Sequence, residues 1–157
     1  MAVVIEIAVE AEAWKKMSGA EDTVRQAIEA TVADAGPATA EVGVVLTDDA
    51  RVRDLNRNWL GNDKATNVLS FPAPEAPETE ARFLGDVVFA FETIRSEAEG
   101  EQKPFQRHLA HLTVHGVLHL LGFDHVRDQD AEIMEARERQ ILARLGIPDP
   151  YARTEPA

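Results

Sequence analysis

Hydrophobic and polar positions alternate with different periods along the chain, and each change of period marks an element. Val3-Val4-Ile5-Glu6-Ile7-Ala8-Val9 is rich in β-branched residues and predicts a strand. Between Asp22 and Ala35, Val24, Ala27, Ile28, Thr31 and Val32 recur at i, i+3, i+4, i+7 and i+8, the stripe of an amphipathic helix, which Gly36-Pro37 stops. Glu41 to Thr47 predicts a second strand. Asp48-Asp49 then caps a short helix through about Trp59, with Leu55 and Trp59, four apart, on its buried face. Asn67 to Phe71 reads as a third strand ending at Pro72, whose missing N–H breaks a ladder. The segment from Pro72 to Arg82 holds Pro72, Pro74 and Pro77 with Glu75, Glu78 and Glu80, and predicts an exposed, mobile loop. Leu84 to Phe91 is a fourth strand with Gly85-Asp86 at its start.

Helical pattern resumes at about Glu92 and is punctuated by Gly100 and Pro104. From about Phe105 to Leu121 almost the whole surface is apolar or histidine, so this helix belongs at the centre of the domain. A last helix runs from about Asp128 to Leu145. Asp128 and Asp130 suit its positive N-terminal end, and Ile133, Met134, Ile141, Leu142 and Leu145 form its apolar side, with Gly146 and Pro148 beyond it. No repeat appears. Strands alternating with helices early and helices gathering late predict a single α/β (α+β) domain over residues 1–152, with residues 153–157 as a tail. Its architecture is a mixed sheet of about four strands flanked by helices, around one buried central helix.

A length of 157 residues with 45% apolar composition supports one full core, burying roughly 68–70% of the unfolded surface. The chain has no Cys, which removes disulfides and thiolate metal sites. Its first ten residues read as a strand rather than a signal peptide, and no run approaches the ~18 apolar residues of a membrane span, so a soluble, cytoplasmic protein without membrane association is expected. A net charge of −12 repels nucleic acid at long range. Residues 51 to 64 are the exception, with Arg51, Arg53, Arg57 and Lys64 against Asp54 and Asp63; this is either a small basic area or an ordinary solvated helix face.

The chemistry concentrates in His115-Gly116-Val117-Leu118-His119-Leu120-Leu121-Gly122-Phe123-Asp124-His125. On a helix, residues four apart share a face, so His115 and His119 reach one ion together. Gly122 permits the left-handed C′ conformation that ends the helix and returns His125 toward them. Three imidazoles and no Cys describe a zinc site, one ion per chain, with the fourth position open; a closed structural site takes four protein ligands. An ion so held lowers the pKa of its water from about 15.7 to about 7, making hydrolysis the default chemistry. The competing reading is three unrelated histidines, surface or core. Against it, three of the chain's five His fall within eleven residues.

Three segments together resemble the YbeY family of bacterial single-strand-specific endoribonucleases, which act in ribosomal RNA maturation and ribosome quality control. They are Leu55-Asn56 through Asp63 to Thr66-Asn67-Val68-Leu69-Ser70-Phe71-Pro72, then Leu84-Gly85-Asp86, then His111-Leu112-Thr113-Val114-His115 through His125. The likeness continues to Asp149-Pro150-Tyr151 and covers about residues 40 to 152. It implies a mixed sheet with flanking helices, zinc on His115, His119 and His125, and single-stranded or ribosomal RNA and the ribosome or its small subunit as partners. One departure stands out: many members carry an Arg implicated in activity just before Gly61, where this chain has Leu60, which donates nothing to phosphate. Arg57, three residues earlier, is the nearest substitute.

The run also looks like the His-Glu-x-x-His pattern of zinc proteases, but Gly116 occupies the position of the glutamate base, which disfavours proteolysis. For RNA, Arg57, Lys64, Asn67 and Ser70 are candidate substrate contacts, Arg and Lys for phosphate and the amide and hydroxyl for sugar or phosphate oxygens. Asn67 and Ser70 equally suit strand-end backbone groups. His111, one turn before His115, is a candidate helper, as an outer donor or a proton shuttle, or else a packed core histidine. Asp86 and Asp124 are candidates to hold the ring N–H of a ligand histidine; Asp124 alternatively caps its turn. The leading expectation is a zinc-dependent endoribonuclease. The alternative is a ribosome-assembly or RNA-binding factor in which the metal staples the fold.

Overall fold

A computed structural model describes residues 2–74 and 82–151. The chain runs β1 (Ala2–Val9), α1 (Glu12–Lys15), α2 (Ala20–Ala35), β2 (Thr39–Thr47), α3 (Asp49–Leu60), β3 (Val68–Pro72), β4 (Arg82–Ala90), α4 (Phe91–Gly100), α5 (Phe105–Leu120) and α6 (Asp128–Arg144). The strands form one sheet in the order β1-β2-β4-β3, parallel except for the antiparallel β3–β4 pair. This is the mixed four-stranded sheet that the pattern predicts. Pro72 closes an edge strand opposite Gly85, a position where a missing N–H is tolerated. The expected mobile loop lies largely outside the described residues. Among those described, no helix is long and apolar enough to cross a membrane.

Strand alternation divides the sheet into two faces. Leu69 and Val88 point toward α3, where Val52 joins them with Ala90 in a small core. Val87 and Phe89 point the other way, into the main core with Val24, Ile28 and Val32 of α2 and Leu109, Leu112 and Val117 of α5. Outside that layer, Met134, Ile141 and Leu142 of α6 cover Ala27 of α2 and Ala110, Val114 and Leu118 of α5. Helix α5 is thus buried between the sheet and α6, which explains why it is apolar all round. The hydroxyl of Thr113 in its middle is satisfied by the Leu109 carbonyl at 2.7 Å.

Two expected faces are corrected. On α3, Leu55 is half-buried and Trp59 is 73% exposed, while Val52 and Asn56 form the hidden stripe. Asn56 is tolerated there because its amide donates to the Lys64 carbonyl at 3.0 Å, tying the loop after the helix to its last turns. On α6, Ile133 is 58% exposed, and the covered stripe is Met134, Glu138, Ile141 and Leu142. A carboxylate at a core position needs partners, and α5 supplies them.

Candidate metal centre

His115 and His119 stand one turn apart on α5. The helix then stops at Gly122, whose φ of 98° is left-handed. The Phe123 N–H donates to the Leu118 carbonyl and the Gly122 N–H to the His119 carbonyl, both at 3.0 Å, the paired bonds of a Schellman motif. That turn returns the chain so that His125 faces the other two rings. Ring centroids are 4.6 Å (His115–His119), 4.9 Å (His119–His125) and 5.4 Å (His115–His125) apart, and one nitrogen from each ring falls within 4.8 Å of the others. His115 and His119 are half-buried and His125 is exposed, leaving one side open to solvent.

The other ring nitrogens decide what this cluster fits. His115 Nδ1 lies 2.8 Å from Glu138 Oε1, and His119 Nδ1 lies 3.0 Å from the Phe123 carbonyl oxygen. An ionised carboxylate and a carbonyl only accept, so both Nδ1 atoms carry the proton and both Nε2 atoms present lone pairs. Those two Nε2 atoms face each other at 3.1 Å. Opposed lone pairs at that distance call for a cation, and two nitrogens ~2.0–2.1 Å from a tetrahedral zinc stand about 3.3 Å apart. The donor set therefore fits a divalent ion such as zinc. Burial and then the charges of His115 and His125 hold the His119 imidazole below its ordinary pKa, so it favours the neutral form that ligates.

Glu138 is fully buried and takes three donors. His115 bonds Oε1, while His111 Nε2 (2.9 Å) and the Tyr151 hydroxyl (2.6 Å) bond Oε2. Burial pushes this carboxyl up, but the hydrogen bonds from His111, His115 and Tyr151 outweigh it and bring the pKa to about 2. Burial and Glu138 together raise the Tyr151 hydroxyl well above its usual value, so it remains a donor. In the metal-free protein a folded pKa of about 2 against the usual 4.5 gives stability that is complete above pH 4.5 and lost as pH falls toward 2. At ~1.4 kcal/mol per unit the effect is on the order of 3 kcal/mol. Urea unfolding of metal-free wild type and Glu138→Gln should therefore show a stability gap at pH 5 that narrows by that order at pH 2.5. An equal gap at both pH values would contradict this account.

The remaining candidates scatter. Asp86 lies over Gly43 on the sheet face toward α3, and Asp124 accepts the His125 backbone N–H at 2.7 Å. Both expectations for these carboxylates are corrected: the ring N–H groups of His115 and His119 go to Glu138 and to a carbonyl, because Asp86 is on the wrong face and Asp124 is engaged in its own turn. Ser70 donates to the Gly116 carbonyl at 2.8 Å, and Asn67 donates to Glu97 at 2.9 Å while accepting from Val68 at 2.6 Å, so both have structural partners. Arg57 is paired with Asp54 at 2.9 Å and Asp63 at 3.6 Å on α3, and the Lys64 side chain is exposed. Leu60 is 52% exposed beside Trp59. A Cβ on Gly116 would stand 2.9 Å from Val87 Cγ1 and 3.2 Å from Ser70 Oγ, so no glutamate base fits at the position that zinc proteases use. Glu138 and Tyr151 were missed by sequence reasoning. The available signal was a charge on an apolar stripe, between Met134 and Ile141-Leu142.

The profile of the family described as Endoribonuclease YbeY matches residues 6–146. A protein of a Bradyrhizobium sp. strain named Endoribonuclease YbeY is 53% identical over 157 residues, covering 96% of this chain and 93% of its own. One of the same name from Rhodopseudomonas palustris is 55% identical, covering 94% and 91%. A solution structure from Thermotoga maritima superposes with a TM-score of 0.53 at 22% identity, covering 96% of this chain and all of that one, a likeness of fold.

Proposed function

Because the chain belongs to the YbeY endoribonuclease family, we propose that it is a zinc-dependent, single-strand-specific endoribonuclease of ribosomal RNA maturation and ribosome quality control. On this reading it works in the cytoplasm, with one ion on His115, His119 and His125. The observation that carries the metal reading is the pair of Nε2 atoms 3.1 Å apart, each left without a proton by its ring's other bond. When bound, such an ion supplies a Lewis acid that polarises a phosphoryl oxygen and acidifies water. The chain's own part is orientation. Glu138 and the Phe123 carbonyl aim two rings, and the exposed His125 leaves room for an RNA strand. Arg57 and Lys64 are proposed phosphate contacts, Arg57 after exchanging Asp54 and Asp63 for phosphate. His111 donates to Glu138, which supports an outer role rather than proton transfer to RNA.

Elemental analysis of purified protein paired with cleavage of a single-stranded RNA tests the proposal. About one zinc per chain and cleavage that a chelator stops and zinc restores are expected. Leu60 in place of the family's Arg favours the second reading, a metal-stapled assembly factor: zinc-loaded protein that cuts no RNA, but whose melting temperature collapses on metal removal, would establish it. Acid provides a further check. Imidazole ligates only when neutral, with an ordinary pKa of about 6.5, so zinc should be retained at neutral pH and released as pH falls below that value. Burial holds the His119 imidazole below its ordinary pKa, which supports release on the acid side of that value. Metal content unchanged down to about pH 4 would rule out a simple three-histidine site.

A further inference from the structure

We propose that Glu138, clamped by Tyr151, is a positioning residue that determines which ring nitrogen His115 presents to the metal. The inference rests on the metal reading above. A histidine ligates through its unprotonated nitrogen, and the free ring has two choices. At His115 the choice is made by an acceptor 2.8 Å from Nδ1, which keeps the proton there and turns Nε2 toward His119. Glu138 is fully buried, so water does not compete for that bond.

The aim of the carboxylate has to be held, because the terminal torsion of a glutamate is broad and soft. Fixing Oε2 fixes the plane and hence Oε1. Tyr151 does this with a 2.6 Å hydrogen bond, the shortest that Glu138 receives, and His111 adds one of 2.9 Å. Tyr151 is itself anchored. Its backbone N–H donates to Asp149 at 2.8 Å, its ring meets His111 edge-on at 5.3 Å, and the Arg139 guanidinium lies 5.4 Å over it. Asp149 in turn pairs with Arg139 at 3.2 Å, and Lys103 reaches the Pro150 carbonyl at 3.4 Å. The turn after α6 therefore reaches back across α5 to set a ligand that is 36 residues earlier in the chain than Tyr151. No other described carboxylate is hydrogen-bonded to the ring of His115.

Two measurements on the full chain decide the matter: the zinc dissociation constant by chelator competition, and the tautomer of His115 in metal-free protein by ¹⁵N ring shifts. Metal-free wild type should carry the His115 proton on Nδ1. Glu138→Gln should raise the zinc Kd about 10–100-fold and Tyr151→Phe about tenfold. The double variant should bind no more weakly than Glu138→Gln alone, since Tyr151 acts through Glu138. Both variants lose metal-free stability on either reading, so the double variant decides: a general loss of packing would instead add to the Glu138 effect on zinc Kd. The inference is overturned by a wild-type proton on Nε2, by zinc Kd values within twofold of wild type in both single variants, or by a Tyr151→Phe effect undiminished in the Gln background. If Glu138→Gln does not fold, the Tyr151→Phe Kd and the wild-type tautomer still give the answer. Wild type that takes up no zinc overturns the metal reading and this inference with it; wild type with one zinc and unaffected variants overturns this inference alone.

Discussion

Substituting His119 with alanine is expected to reduce cleavage of single-stranded RNA to assay background, a loss on the order of 10³-fold or more, in a chain that remains folded. His119 contributes the central ring of the trio, 4.6 Å from His115 and 4.9 Å from His125, and its removal leaves two nitrogens that no longer enclose an ion. Lewis-acid stabilisation of developing charge amounts to several kcal/mol, and about 4 kcal/mol already corresponds to 10³ in rate. The fold should survive because the ring is half-buried at the solvent side of α5, and the Schellman bonds that end the helix use only backbone atoms. The lost bond to Phe123 costs roughly 1 kcal/mol. Zinc content should fall with activity while RNA affinity is retained, because the proposed phosphate contacts, Arg57 and Lys64, are outside the histidine trio. A variant that cut RNA as fast as wild type would assign the activity to a contaminant.

Much of this site is legible in the sequence because its parts are local. A four-residue spacing on a helix, a glycine able to take positive φ, and a third histidine just beyond are all contained in eleven consecutive residues, and their geometry follows from helix and turn chemistry alone. The strands were legible for the same reason: β1 and β2 carry β-branched patterns that need no partner to be recognised. What failed depends on distant contacts. The sequence puts the buried stripe of α3 on Leu55 and Trp59, whereas docking on Leu69 and Val88 rotates Val52 and Asn56 inward. Asn56 at a hidden position makes sense only with the Lys64 carbonyl in view.

For the outer partner of His115 the sequence offers Asp86 and Asp124, near the histidines or in a matching motif. It is Glu138, 23 residues from that histidine, on a helix whose covering of α5 no periodicity reveals. Among short apolar stripes, a lone carboxylate reads as exposure when it marks a buried hydrogen-bond hub instead. Residues 51 to 64 read in sequence as either a small basic area or a solvated helix face. Arg53 and Arg57 are both engaged by Asp63, at 2.8 and 3.6 Å, which reduces the charge they offer at a distance and favours the solvated face.

The largest expected loss of stability lies outside the histidines, at Gly85, and it reaches the site through the sheet. The β2–β4 register shifts where Glu41 pairs with Phe83 and Val42 with Gly85, so Leu84 is an extra residue and β4 bulges there. Gly85 adopts φ of 133°, a conformation essentially closed to L side chains. A Cβ at this position would also collide with the Phe71 carbonyl oxygen and stand 2.9 Å from both Ala73 N and Pro72 Cα. These are backbone atoms at the end of the neighbouring edge strand and just beyond it, and they cannot rotate away. Gly85→Ala should therefore cost at least about 3 kcal/mol, from backbone strain and steric overlap together. For a domain of this size that corresponds to a fall in melting temperature of roughly 6–12 °C. Gly61→Ala is the matched control: φ is 75° but nothing lies within 4 Å of the added carbon, so only the left-handed penalty of about 1–2 kcal/mol applies. The bulge also sets the phase of β4 that turns Val87 toward Gly116, where α5 approaches the sheet closely beside His115. Thermal unfolding of metal-free protein, followed by zinc titration, separates the two consequences. Gly85→Ala should melt well below Gly61→Ala and bind zinc more weakly at temperatures where both are folded. Equal melting temperatures for the two variants would mean that β3 yields to the added carbon, and the proposed rigidity of the sheet beneath the histidines would be wrong.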